Sequence, residues 1–211
     1  RTMPEEKRER AAKTGKKNRS RYILLNTLSS YGRDIVDTIT FLVLIPFIIK
    51  ILGKEIFGLW SLIWAFLAIF ELADLGSAAS VVKYVADARG RQDTEELKKI
   101  VCTLFWSYVA QGALVMLGIG LSLLFFNRVF QIPVDQEHTA RAVLIILGVR
   151  SALYLPLGMF RGVLVGFQKM AIANAYKVAA SLVYLIAALL ALRWSPDVKL
   201  LAGINAVTGL L

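Results

Sequence analysis

The sequence predicts an all-α fold, a polytopic membrane helix bundle of about six transmembrane helices, and three observations carry that expectation. The hydrophobic share is 57% and the mean hydropathy +0.61, above the roughly 45–50% apolar content of soluble domains. Apolar runs of the length that crosses a hydrocarbon core, roughly 20 residues for about 30 Å, recur through the chain with short polar turns between them. Several runs also carry an ionisable residue well inside: Asp37, Glu71, Asp74 and Arg150. Such a group costs from about 2.5 kcal/mol upward at bilayer depth, so it normally faces a water-filled cavity or a partner rather than lipid. The combination points to a transporter, and 211 residues leave no room for a separate soluble domain beside six spans.

The elements follow in order. Residues 1–21 form a basic tail with Lys7, Arg8, Arg10, Lys13, Lys16, Lys17, Arg19 and Arg21, which holds most of the net charge of +10. Placed before a membrane helix, it reads as a topology signal drawn to an anionic cytoplasmic leaflet. Nucleic acid is not the expected partner, because no aromatic residue precedes Tyr22 to stack on bases. The transmembrane lobe occupies 22–211. Its first span, 22–52, has a polar half with Arg33, Asp34 and Asp37, and Pro46 is the expected kink. The second, 57–84, starts after the turn Gly53-Lys54-Glu55 and carries Trp60 and Trp64 as expected interfacial anchors.

A charged loop, Asp87 to Lys99, comes next, and its Asp93-Thr94-Glu95-Glu96 stretch resembles the acidic start of a short surface helix. The third span, 100–126, is uncharged, which suits a helix in the wall of the bundle. The fourth runs over 140–166 and the fifth over 172–192. A sixth apolar run covers 198–211, shorter than a span requires, so the sequence reads as ending inside a membrane helix of a longer protein. Basic residues concentrate in the tail, the 87–99 loop and around Arg161 and Lys169, which predicts a cytoplasmic N-terminus.

Six residues are candidates for the transport path. Arg150 lies deepest among the bases, roughly 12 Å from the outer end of its helix at helical rise. A guanidinium keeps its charge at working pH and binds phosphate bidentately, so a phosphate-bearing cargo suits it; the alternative is a buried ion pair with Asp37, Glu71 or Asp74. Glu71 and Asp74 are three apart and share a helix face next to Gly76, where they either line a cavity or pair with a basic neighbour. Arg33 and Asp37 are four apart and placed to pair, and Asp37 is deep enough to face the cavity or a coupling cation. Arg161 and Lys177 extend a basic path toward the inner ends of the fourth and fifth helices, although positive-inside placement also accounts for them. Gly158, Gly162 and Gly166 form a small-xxx-small stripe that predicts close helix packing.

Little supports an enzyme. His138 is the single histidine, in a predicted outer loop, and neither a nucleophile–base pair nor a Gly-rich phosphate loop with a following lysine occurs. The single Cys102 gives no disulfide framework and no metal-ligand spacing, so neither a metal nor a cofactor is expected.

The stretch Leu52-Gly53-Lys54-Glu55-Ile56-Phe57-Gly58-Leu59-Trp60, then Asp74-Leu75-Gly76, then Val82-Lys83-Tyr84-Val85-Ala86 resembles the N-terminal half of bacterial polysaccharide-export flippases of the Wzx type. Phe160-Arg161-Gly162, Gly166-Phe167-Gln168-Lys169 and Ile172-Ala173-Asn174 are similar to the same family, so the resemblance covers most of the chain. It implies the multidrug/oligosaccharidyl-lipid/polysaccharide exporter superfamily, with this chain as the first of two six-helix lobes around a central cavity. The implied activity is movement of a polyprenyl-diphosphate-linked oligosaccharide across the cell inner membrane by alternating access, coupled to a proton or sodium ion. Arg150 is the residue to match to the diphosphate. Implied partners are the lipid-linked glycan, membrane lipids, and the polymerase and glycosyltransferases of polysaccharide synthesis. Two other readings remain: a cation-coupled multidrug extruder using Asp34 or Asp37, and a non-transporting scaffold for cell-envelope synthesis with its charges mutually satisfied.

Overall fold

The computed structural model describes residues 5–71 and 77–210, and the side chains of 24–70, 78–126 and 128–210. Its helices are α1 (Glu5–Glu71), α2 (Ser77–Gly90), α3 (Thr94–Phe130), α4 (Glu137–Gly166), α5 (Met170–Trp194) and α6 (Val198–Gly209), with one 3-10 turn at Val134–Gln136. The described residues contain no strand. The fold is an all-α membrane helix bundle. Leu24–Phe70, Thr94–Phe126, Val134–Gly166 and Met170–Trp194 are long and apolar enough to cross a bilayer.

The first of these stretches has 47 residues, about 70 Å if straight, more than twice the thickness of a hydrocarbon core. It is broken at Gly53, whose φ of 86° and ψ of 165° are non-helical. Essentially only glycine reaches that region, because any Cβ clashes with the backbone there. The interruption therefore lies at Gly53 and not at Pro46, which sits inside the first arm.

The two arms run in opposite directions. Residues 30 and 37 of the first arm meet Asn174 and Ser181 of α5 in the same order, so the first arm is parallel to α5. Glu55 and Trp64 of the second arm meet Gln136 and Arg150 in the same order, so the second arm is parallel to α4. Helices α4 and α5 are joined by a turn of three residues, 167–169, and so short a link makes packed neighbours antiparallel. A reversal at Gly53 thus separates two antiparallel arms, as the turn Gly53-Lys54-Glu55 predicted, while of the expected second span, 57–84, the described residues form helix to Glu71 and again from Ser77.

Other boundaries move. The basic stretch before Tyr22, expected as a tail, continues α1 as helix from Glu5. The expected loop from Asp87 to Lys99 shrinks to 91–93, since α2 reaches Gly90 and α3 begins at Thr94. Asp93 does not start a separate surface helix: its Oδ1 accepts from the Glu96 N–H at 2.9 Å and caps α3 itself. Helix α4 begins at Glu137, earlier than residue 140, so Arg150 lies thirteen residues into it, about 20 Å from that end rather than 12 Å.

Helix α4 is the axis of the bundle, touching every other α-helix. On its tight side, glycines remove the bulk that would separate helices, as expected where packing rather than water expulsion holds helices together. A Cβ on Gly162 or Gly166 would come within 3.0 or 2.7 Å of Val81 or Val85 on α2, so these two glycines of the stripe pack as expected, whereas Gly158 meets only Tyr154 of its own helix and faces the cavity. Gly148 seats Ile119, and Gly112 of α3 seats the Ala152 carbonyl in the same way. Phe66 stacks edge-on to Phe70, Phe126 and Phe130, closing the joint between the second arm and α3. Along α3, Tyr108, Val115, Ile119 and Phe126 are buried while Trp106, Leu114, Leu117, Leu121 and Leu124 are exposed, the pattern of a wall helix.

Candidate functional site

On the other side of α4 a cavity of about 420 Å³ opens between α4, α5 and α6. Helical period places its wall: Arg150, Tyr154, Leu157, Arg161 and Leu164 recur at steps of three and four along one face of α4. Lys177, Ser181 and Tyr184 do the same on α5, opposite. Asn205, Thr208 and Gly209 of α6 close the third side. Three of the sequence candidates, Arg150, Arg161 and Lys177, are thus brought to one cavity.

Arg150 is held by aromatic rings. Its guanidinium carbon lies 5.1 Å from the Trp64 ring centroid and 5.6 Å from that of Tyr154. Its Nε and Nη2 lie so near α6 that a Cβ on Gly209 would fall 2.5 and 2.7 Å from them. Arg161 stands three turns further along α4, and its Nε is buried without a hydrogen-bond partner among the described residues. Lys177 is exposed and lies within electrostatic reach of Arg161, Arg33 and Arg150, with Asp37 as the opposing charge. Like charges around one cavity repel, and Asp37 offsets part of that repulsion at Lys177.

Asp37 is tied to the cavity wall at Ser181, whose hydroxyl donates to its Oδ1 at 2.6 Å. The expected Arg33–Asp37 pair does not form. Arg33 instead binds Asp34 at 2.6 Å and donates to Asn174 Oδ1 at 3.3 Å. Asn174, 1% exposed, also donates to Ser29 and Ser30 at 3.0 and 3.1 Å. This polar seam joins the first arm to α5. Glu71 and Asp74 are not placed: the Glu71 side chain and all of Asp74 lie outside the described residues.

Two tryptophans make contacts that their residue type does not announce. Trp60 is 8% exposed and packs in the core, and half-buried Trp64 stacks edge-on to it at 6.0 Å while facing Arg150. Trp64 and Tyr154 are the site residues that sequence reasoning missed. The spacing of Arg150 and Tyr154, four apart on a helix, was a readable signal; Trp64 left none, since its partner is remote in sequence.

Fold and cavity together define a multi-pass membrane protein with a basic pocket inside its helix bundle. Residues 12–211 match a family model described as polysaccharide biosynthesis protein. The chain belongs to this family, in agreement with its resemblance to Wzx-type exporters, and takes part in polysaccharide biosynthesis. No curated protein and no solved structure matches it.

Proposed function

We propose that this chain is a lobe of a flippase that moves a polyprenyl-diphosphate-linked oligosaccharide from the inner to the outer leaflet of the cell inner membrane. One observation carries the reading: Arg150, Arg161 and Lys177 converge on a single cavity of about 420 Å³ between the long apolar helices. A cargo with a diphosphate neutralises such a cluster, and its sugars and lipid tail have no need of it. The bases step along the cavity, with Lys177 seven residues into α5 and Arg150 near the middle of α4. A diphosphate can pass from one to the next as access alternates between the two sides. The N-terminus is cytoplasmic, and a proton or sodium gradient supplies the drive, with Asp37 as the acidic group beside the path. The protein acts as a transporter and not as an enzyme, working with the glycosyltransferases that load the carrier lipid and the polymerase that consumes it.

The basic pocket weighs against a cation-coupled multidrug extruder, which needs an apolar cavity with few fixed positive charges. A closed scaffold is disfavoured by the open volume beside Arg150. The test is Arg150→Ala in the full protein, with outer-leaflet appearance of the lipid-linked glycan as the readout. Loss of a charged bidentate contact, about 1.5–3 kcal/mol, lowers translocation roughly 10- to 100-fold. Unchanged translocation by a normally folded variant would remove Arg150 and this mechanism together.

A further inference from the structure

We propose that Ser181, Asn205 and Thr208 form a sugar subsite of the cavity: it takes the hydroxyl groups of the hexose joined to the diphosphate and makes the lobe selective for the first sugar of its cargo. The inference rests on the flippase reading and adds the part of the cargo that the bases do not address. All three residues line the cavity, and none of them carries charge.

The physical case is a match of donors to acceptors. Arg161 and Lys177 stand on the α4 and α5 walls toward the turn that joins these helices, and both side chains can only donate. An ionised diphosphate can only accept, so it suits them. Further along, the neutral wall has the opposite character. The Ser181 hydroxyl gives its proton to Asp37 Oδ1 at 2.6 Å, and that of Thr208 gives its proton to the Ile204 carbonyl at 2.8 Å. Both oxygens are left with lone pairs and no proton to offer the cavity. Asn205 Oδ1 is buried with no hydrogen-bond partner among the described residues, and a buried acceptor in that state calls for a donor. The lipid tail has no donor and the diphosphate has none; of the cargo's parts only the sugar carries O–H groups. Asn205 of α6 meets Tyr184 of α5, which lies seven residues beyond Lys177, about 10 Å at helical rise. A sugar ahead of a diphosphate held at Lys177 comes to that level, where the Tyr184 ring offers an apolar face to its C–H groups.

The experiment measures, on the purified full protein in lipid nanodiscs, the Kd of farnesyl diphosphate and of the same molecule carrying one hexose: glucose, galactose or N-acetylglucosamine in turn. At least one glycosylated probe is expected to bind more tightly than farnesyl diphosphate. Asn205→Leu is expected to cut that advantage about 2- to 12-fold, the span of one neutral hydrogen bond, and to leave farnesyl diphosphate itself unaffected. Thr208→Val is expected to act in the same direction, and Thr208→Ser, which keeps the hydroxyl, to restore the advantage. Equal weakening of every probe by Asn205→Leu would show an interhelical contact only and overturn the proposal, as would a sugar advantage that Asn205→Leu leaves untouched. So would the lack of any sugar advantage in the unaltered protein, which would mean that water serves these acceptors; farnesyl diphosphate binding that persists in that case leaves the flippase reading standing. If farnesyl diphosphate does not bind at all, the flippase reading and this inference fall together. Should Asn205→Leu not fold, the decision passes to Thr208→Val and Ser181→Ala, and an unchanged sugar advantage in both overturns the proposal.

Discussion

The two sides of α4 solve opposite problems with the same helix. On one side Gly148, Gly162 and Gly166 lie against Ile119, Val81 and Val85 of α3 and α2, where a Cβ would come within 3.0 Å, and Gly112 of α3 lies as closely against the Ala152 carbonyl. On the other, Arg150, Tyr154, Arg161 and Leu164 stand back from α5 and α6 around open volume. In lipid, helices gain little from expelling water, so adhesion must come from close packing or polar contacts. The tight side spends its residues on adhesion, which frees the other side to hold charge that would otherwise split the bundle.

That contrast can be broken by putting a methyl group on each side. Gly112→Ala drives a Cβ to within 2.6 Å of the Ala152 carbonyl oxygen, where backbone must move. It should cost about 1–3 kcal/mol, the usual penalty of overpacking, read as a lowered Tm in detergent. Gly158→Ala, on the open side, meets only the Tyr154 ring at 3.6 Å. Its Tm should hold or rise slightly, since alanine is the better helix former by about 0.5–1 kcal/mol. Equal losses for the two would erase the distinction between the sides.

A smaller effect is expected at the seam between the first arm and α5. Asn174→Ala removes three side-chain hydrogen bonds, to Ser29, Ser30 and Arg33. At about 0.6 kcal/mol for each interhelical bond in a membrane, the sum is about 2 kcal/mol, measurable as a Tm shift with diphosphate binding intact. A binding loss as large as that of Arg150→Ala would place the seam within the path itself. The smallest stability effect belongs to Lys177→Gln, an exposed position. It should leave Tm unchanged and weaken diphosphate binding about twofold at low salt, with the difference fading at high salt as screening removes it. A salt-independent loss would mean that Lys177 touches the ligand directly.

Fold class and the packing stripe were legible because both depend on local pattern: hydropathy over a window, and glycines repeating at four. Arg150 was singled out by depth, since lipid tolerates charge poorly, whereas Arg161 and Lys177, nearer the inner helix ends, were equally explained by positive-inside placement, and only the packing of α5 against α4 brings the three to one cavity. What escaped depends on a second helix. Arg33 was expected to pair with Asp37 because the two share a helix face, yet it binds its neighbour Asp34 and donates to Asn174, remote in sequence. Trp64 was read by its residue type as an anchor, and only the arrival of α4 beside it reveals the contact with Arg150. The loop at 87–99 was overestimated because charge was taken for irregular backbone, whereas Asp93 caps a helix and Arg91 binds Asp87 at 2.8 Å.

The break at Gly53 reaches further than its own hairpin. The turn sets the side from which the second arm starts, so one torsion of 86° fixes the parity of the loops that follow. No side chain crowds the position, and the space around a Cβ there is empty. Its identity is therefore dictated by backbone geometry alone: without the reversal, residues meant for one face of the membrane would emerge on the other.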